Sequence, residues 1–285
     1  LVVLISQYIG IVKYKIEKVI ANVVVMIFSI TCIYPIIWML YSSVKSNQEF
    51  NRNILSLPKE IHLENFIEAF KLGKLGLYSL NSLFNAVVSC TLIIIFSFII
   101  AYFIARFKFR GRKILYMTFL FGMLVPIHAL LVPVFIQYKD LGLFDNRFTL
   151  IIPYVAFGLP FSIFLLEGFI KSVPKELEEA ALIDGSSFFS TMFRIVFPVC
   201  KPTLITVGIL SFLDAWNEFP FALVLIKSDE LKTISLGLLN FNGQYSTNYP
   251  VQMAGLLLAM LPIVIIYIFV NKKIIEGMTA GAVKG

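Results

Sequence analysis

Residues 75–105 run without one charged side chain, and that run limits the chain more than any other feature of its sequence. A bilayer's hydrocarbon core takes roughly 20 apolar residues to cross as a helix. Similar uncharged stretches occupy 19–44, 114–138, 148–166 and 233–271, and a sixth lies between Lys201 and Lys227, broken only by Asp214 and Glu218. With 59% hydrophobic and 15% aromatic residues, the chain is too apolar for a soluble domain. The expected fold is all-α: a polytopic membrane protein of six transmembrane helices. The longest polar stretch, about 45–74, leaves no room for a separate soluble domain. The expected organisation is a cytoplasmic N-terminal segment (1–18), a transmembrane domain (19–272) and a cytoplasmic tail (273–285). Residues 1–12 lack the basic leader and cleavage site of a signal peptide and are read as an amphipathic prelude to span one.

Lys and Arg in short loops mark the cytoplasmic side. Arg106, Lys108, Arg110, Arg112 and Lys113 follow span two with no acidic residue among them, so that loop is expected in the cytoplasm. Alternation places residues 172–201 and both termini on the same side. Loops 139–147 and 227–232 each balance two basic residues with two acids and fall outside. The net charge of +7 follows from this topology and implies no nucleic-acid partner. Cys32, Cys90 and Cys200 have no disulfide or metal spacing and are expected as small core residues. His62 and His128 are isolated, and no catalytic constellation is present.

The polar interruption at 172–201 reads as two short helices around a turn. Pro174 suits a first helical turn, Glu176, Glu178 and Glu179 complement the positive end of a helix dipole, and Asp184-Gly185 suits a left-handed cap. Ser186 or Ser187 can cap a second helix, limited downstream by Pro198 and Pro202. Glu179-Ala180-Ala181, three residues, Gly185, nine residues, Ile195, two residues and Pro198 together resemble the EAA loop of ATP-binding-cassette importer permeases, with Phe197 where that family usually has leucine. The resemblance implies a cytoplasmic coupling helix seated on an ATPase, with Glu178, Glu179, Ala180, Ala181, Asp184, Gly185, Ile195 and Pro198 at the contact. Glu179 is expected to make the charged contact. The phosphate-cradling pattern Gly-x-x-x-x-Gly-Lys-Ser/Thr is absent, so no cofactor is expected on this chain, and ATP and Mg belong to a partner ATPase.

Ala215-Trp216-Asn217-Glu218-Phe219 and the closing Glu276-Gly277-Met278-Thr279-Ala280-Gly281-Ala282-Val283-Lys284-Gly285 narrow the resemblance to the second membrane subunit of maltose-type carbohydrate permeases. That resemblance implies a heterodimer with another permease subunit, an ATPase dimer, an extracytoplasmic sugar-binding protein, a carbohydrate substrate and a bacterial cytoplasmic-membrane location. It also implies a tail that reaches between the ATPase subunits, and the Gly/Ala-rich composition suggests a tail without a helix of its own. Asp214 and Glu218, one helical turn apart, are expected on one side of span five. With Asn217 they either line the translocation path or hydrogen-bond neighbouring helices. In the outer loop 228–250, Asn240, Asn242, Gln244, Tyr245 and Tyr249 offer amides and rings suited to a sugar or its binding protein, or form an ordinary interfacial loop. The function that follows is import of a di- or oligosaccharide by alternating access. An ion-coupled secondary transporter using Asp214 and Glu218, with Glu167, is the reading from another class.

Overall fold

The computed structural model describes residues 2–241 and 248–282, and the side chains of 17–241 and 248–269. Among the described residues every regular element is helical. In chain order they are α1 (Val2–Ser43), α2 (Asn47–Arg52), α3 (Glu64–Leu72), α4 (Leu75–Arg106), α5 (Arg112–Gly122), α6 (Ile127–Asp140), α7 (Ile151–Ser172) and α8 (Glu176–Ile183). Then come α9 (Phe188–Val199), α10 (Lys201–Asn217), α11 (Pro220–Leu225), α12 (Ile234–Gly237) and α13 (Tyr249–Ala282). Four helical segments are long and apolar enough to cross a bilayer unbroken: Glu17–Ser43, Leu75–Arg106, Ile151–Ser172 and Tyr249–Phe269. Two bent pairs bring the number to as many as six if each is one span: α5 with α6 at 100°, and α9 with α10 at 76°.

The breaks fall where proline imposes them. Span three was expected to be continuous over 114–138, yet α5 ends at Gly122 and α6 starts after Pro126, whose ring disfavours helical backbone at Val125 and which has no N–H to give. Span five was expected to reach Lys227. Instead α10 stops at Asn217, Glu218 is extended (ψ 130°), and α11 opens on Pro220. The last span was expected from residue 233. It starts at Tyr249, and the segment before it holds only the short α12, whose first turn Thr233 caps, and a 3-10 turn at Leu238–Phe241. The C-terminal segment is helical as far as Ala282, because glycines at 277 and 281 lower helix propensity without removing a hydrogen bond. Residues 283–285 lie outside the described residues.

The chain divides into two compact units: residues 1–71 with 241–258, and residues 72–240 with 259–285. The larger unit is built on α4, which packs along α7 and α10. The buried face of α4 mixes small or polar residues (Asn81, Ser82, Asn85, Ala86, Ser89, Ser97, Ala101) with large ones (Leu75, Tyr78, Ile93, Phe98, Tyr102, Ile104), while Leu80, Leu83, Val87 and Phe96 lie exposed. Lipid tails are as apolar as leucine, so helices associate through small and polar residues that let backbones approach. An apolar core at one end of this unit gathers Phe98, Ile163, Leu166, Met192 and Val207; a second gathers Tyr138, Leu150, Phe221 and Leu225. Cys200 is buried in the first core. Cys90 is half-buried and Cys32 is exposed on span one, so the expectation of small core cysteines fails at Cys32.

The end with the second core is tied by polar contacts between distant loops. Asp145 accepts from the Lys227 and Ser228 amides at 2.9 Å each. Asn81 Nδ2 donates to the Glu230 and Lys232 carbonyls, and Arg147 pairs with Asn81 and lies 4.1 Å over the Phe84 ring. Asp229 accepts from Lys74, from Lys232 at 2.9 Å and from Tyr78 at 2.8 Å. The Lys74 ammonium, then Lys232 and Tyr78, hold the Asp229 carboxyl well below the usual carboxylate range. A depressed carboxyl stabilises the fold fully above its unfolded pKa and loses that contribution as pH falls through its folded value. Asp229→Asn is therefore expected to lower thermal stability at pH 7 and to flatten its decline below about pH 4, measured by melting curves of wild type and variant.

Tyr78 also bears on Gly237 in α12, where an added Cβ would come within 2.1 Å of the ring. Gly237→Ala is expected to destabilise by about 1–3 kcal/mol through overpacking, read as a lower melting midpoint.

Candidate functional site

The segment between α7 and α10 is organised by one buried ion pair. Arg106, the last residue of α4, directs Nε at Glu178 Oε1 (2.6 Å) and donates through a terminal nitrogen to the Val173 carbonyl (2.9 Å). Tyr102, one turn earlier, donates its hydroxyl to Glu178 Oε2 at 2.7 Å. Both charged side chains are nearly covered, 6% and 12% exposed. Both carboxylate oxygens of Glu178 thus have donors from α4, and α8 is fixed to that helix rather than tethered by chain alone. Ala181, 6% exposed, completes the inward face of α8.

Local sequence explains the rest of the segment. Pro174 lies just outside α8, with Lys175 at the N-cap, so it precedes the first turn instead of joining it. Gly185 has φ +82° and ends the helix as expected, and Ser187 is the residue that caps α9, accepting from the Ser190 amide. Helix α9 then continues through Pro198. Thr191–Val196 is a π-helical turn in which the Phe197 amide reaches the Met192 carbonyl. Pro198 has no N–H for the Arg194 carbonyl, and a wider turn one residue earlier absorbs that lost bond.

Of the residues assigned by sequence to this site, Glu178 and Ala181 face inward, while Glu179, Ala180, Asp184, Gly185 and Pro198 are exposed and Ile195 is half-buried. Glu178 was expected at a partner contact, but its charge is already answered by Arg106. Sequence reasoning counted Arg106 only as a topology marker. An arginine closing an uncharged 31-residue run, opposite a glutamate-rich turn, was the available signal. It also missed the exposed apolar residues here: Leu177, Leu182, Ile183 (85% exposed), Phe189 and Phe193.

A second candidate site lies within the larger unit, a cavity of about 510 Å³ beside the α5–α6 break. Gly122, Met123 and Val125 line it on one side, Tyr154, Phe157 and Phe161 of α7 on another, and Ser211, Asp214, Asn217 and Glu218 on a third. Asp214 and Glu218 were expected as a pair one helical turn apart. They share the cavity wall, but the helix ends between them. Glu218 accepts from the Phe221 and Ala222 amides at 2.5 and 3.1 Å and from the Tyr154 hydroxyl at 2.9 Å, so it caps α11 and joins it to α7. Asp214 has no such partner among the described residues, and Asn217 is exposed beside it. Trp216 turns away, buried, with Nε1 on the Ala259 carbonyl at 3.3 Å.

In segment 228–250, Asn240 donates to the Tyr78 hydroxyl at 3.4 Å, and Tyr249 opens α13 with its ring stacked on Phe50 at 5.3 Å. Asn242, Gln244 and Tyr245 lie outside the described residues. No group of three or more His, Cys, Asp or Glu able to hold a metal ion occurs among the described residues.

The family of binding-protein-dependent transport system inner membrane components matches residues 93–278, more than half of the chain. A putative ABC transporter permease protein of Caldicellulosiruptor sp. is 42% identical over 252 residues, 88% of this chain and 91% of the relative. The probable starch degradation products transport system permease protein of Thermoanaerobacterium thermosulfurigenes is 34% identical over 272 residues, 95% of this chain and 99% of the relative. A chain of a bacterial ABC transporter involved in the import of the acidic polysaccharide alginate superposes with a TM-score of 0.80 at 26% identity, covering 90% of this chain and 96% of that one. The chain belongs to the family of binding-protein-dependent transport system inner membrane components. It is a multi-pass ABC transporter permease subunit, a transport protein and not itself an enzyme.

The Arg106–Glu178 pair supplies a test of the geometry. Arg106→Ala leaves a buried carboxylate unpaired and is expected to cost about 3–5 kcal/mol, read as a lower melting midpoint. The swap Arg106→Glu with Glu178→Arg is expected to recover part of that loss, where either single charge reversal does not.

Proposed function

We propose that this chain is one of two unlike permease subunits of an ATP-driven sugar importer and moves a di- or oligosaccharide into the cytoplasm by alternating access. The observation that carries the coupling half of this reading is the exposed surface of α8 and α9. Ile183, Leu182 and Phe189 stand there beside Glu179 and Asp184, on a segment held firmly to α4 by Glu178. Exposed apolar groups rimmed by charge suit a protein partner, and the partner in this reading is a separate ATPase dimer that binds ATP and Mg. Basic residues around Arg106–Lys113 support a cytoplasmic position for this surface and for both termini.

The cavity supports the sugar half. The Asn217 amide and the Ser211 hydroxyl suit hydroxyl groups, and the rings of Tyr154, Phe157 and Phe161 suit the apolar faces of a sugar. Carbohydrate transport is common to the similar proteins: one is a probable starch degradation products transport system permease, and another belongs to a transporter that imports the polysaccharide alginate. Segment 228–250, with Asn240, Asn242, Gln244, Tyr245 and Tyr249, is proposed to face an extracytoplasmic sugar-binding protein.

Co-expression with the candidate second permease subunit and ATPase, followed by ATP hydrolysis assays with and without loaded binding protein, tests the reading. Wild type is expected to show stimulated hydrolysis. Glu179→Lys and Ile183→Asp, both at exposed positions, are expected to abolish stimulation or co-purification of the ATPase while leaving the permease folded. Failure of any ATPase to co-purify with wild type, or wild-type coupling in both variants, would sink the proposal.

A further inference from the structure

The smaller unit contains a turn whose chemistry the transport function does not use. After span Glu17–Ser43 the chain leaves through α2 and returns, so that residues 53–56 lie against the end of the span. Trp38 Nε1 donates to the Ile54 carbonyl at 3.2 Å, and the Tyr41 hydroxyl donates to the Leu55 carbonyl at 3.3 Å. Lys45, fully buried, directs its ammonium at the Asn53 and Ile54 carbonyls at 3.3 and 3.1 Å. Asn53 Oδ1 accepts from the Leu55 and Ser56 amides, which closes the turn. The turn is tied down by these bonds, yet it presents large aliphatic side chains outward: Ile54 is 50% exposed, Leu55 67% and Leu57 72%.

Depth follows from the helix. Within α1 the uncharged residues 19–43, which follow Lys18, extend about 37 Å at 1.5 Å each, enough to cross the hydrocarbon core and enter the headgroup region at the Ser43 end. Trp38 and Tyr41 precede Ser43 by five and two residues, about 7 and 3 Å along the axis. That is the interfacial zone in which tryptophan and tyrosine concentrate. Their hydrogen bonds hold Ile54 and Leu55 at the same level, beside a span whose own side chains are unburied. The polar residues of the same region, among them Glu49, Arg52, Lys59 and Glu60, line a separate cavity of about 360 Å³ to which none of the three aliphatic side chains contributes.

We propose that residues 54–57 form a preformed wedge inserted at the boundary between headgroups and acyl chains, in the leaflet at the Ser43 end of span one. Its ligand is the lipid surface. Lys45 turns the ordinarily water-seeking carbonyls of the turn inward, so that the side facing the lipid is left apolar.

The test uses the full chain, in whatever complex it purifies with, reconstituted in lipid nanodiscs. In a background with Cys32→Ser, Cys90→Ser and Cys200→Ala, an environment-sensitive fluorophore is attached at Leu57→Cys and, for reference, at Lys59→Cys. Emission at position 57 is expected to be blue-shifted relative to position 59, quenched most by nitroxides near the headgroup, and quenched by aqueous iodide several-fold less than at position 59. Equal iodide quenching at both positions would place the turn in water. Insensitivity of position 57 to both quenchers would place it against protein. Either result overturns the proposal, and Leu55→Cys carries the same measurement should Leu57→Cys fail to assemble.

Discussion

Arg106 and Glu178 meet at the point where a transmembrane helix gives way to a polar loop, and much of the larger unit's arrangement depends on how that charge is satisfied. An arginine at the foot of a 31-residue uncharged run must either extend to water or find a carboxylate. Here it finds one belonging to a short helix that would otherwise have only Ala181 to bury. A terminal guanidinium nitrogen donates to the Val173 carbonyl, where α7 ends. One side chain therefore fixes the foot of α4, the end of α7 and the orientation of α8. With the inner face of α8 so occupied, Glu179, Leu182 and Ile183 are left facing outward. The partner surface proposed here is in that sense a consequence of the internal pair.

Inside the membrane the usual hydrophobic argument has little force, and the packing of α4 shows what replaces it. Its buried face carries asparagine, serine and alanine among larger residues such as Ile93 and Phe98, and its exposed face carries no asparagine but leucine, valine and phenylalanine at Leu80, Leu83, Val87 and Phe96. Close approach follows: a Cβ at Gly158 of α7 would come within 2.4 Å of Ile93, and one at Gly208 of α10 within 3.3 Å of Ile94. Carboxylates in this setting need partners, and Glu218 has three donors where α10 breaks. Glu218 is thereby a joint between helices, which removes the premise of a free pair of carboxylates one turn apart.

The apolar helices and the polar segment 172–201 were legible in the sequence because charge and its absence report directly on solvent. The spaced Glu179-Ala180-Ala181…Gly185…Pro198 pattern was legible because left-handed backbone at Gly185 and missing N–H groups leave residue-level marks. The breaks were less so. Pro126 and Pro220 were visible, but proline within a membrane helix can kink it, break it or pass unnoticed, and local sequence does not say which. Pro160 and Pro262 lie inside α7 and α13 without ending them. Nor could span counting separate Glu178 from Glu179: the two are adjacent, and only the location of Arg106 decides which one turns inward.

Breaks and anchors together suggest how the proposed transport cycle would use this unit. The cavity has a wall made of the α5–α6 break on one side and the α10–α11 break on the other, two places where the helical hydrogen-bond ladder is interrupted. Interrupted helices can change direction at little cost, whereas α4 and α7, unbroken and packed along each other, cannot. A partner pressing on α8 would deliver its force through Glu178 to the foot of α4 and, through α9, to α10, whose far end carries Asp214 and Asn217. Force applied at the polar loop would thus reach the cavity along α4, unbroken from Arg106 to the Ile93 that lines it, and be absorbed at the breaks in the cavity wall. In that arrangement Asp214 and Asn217 move with α10, while Glu218, held by Tyr154 and the α11 amides, stays with the part of the wall that does not.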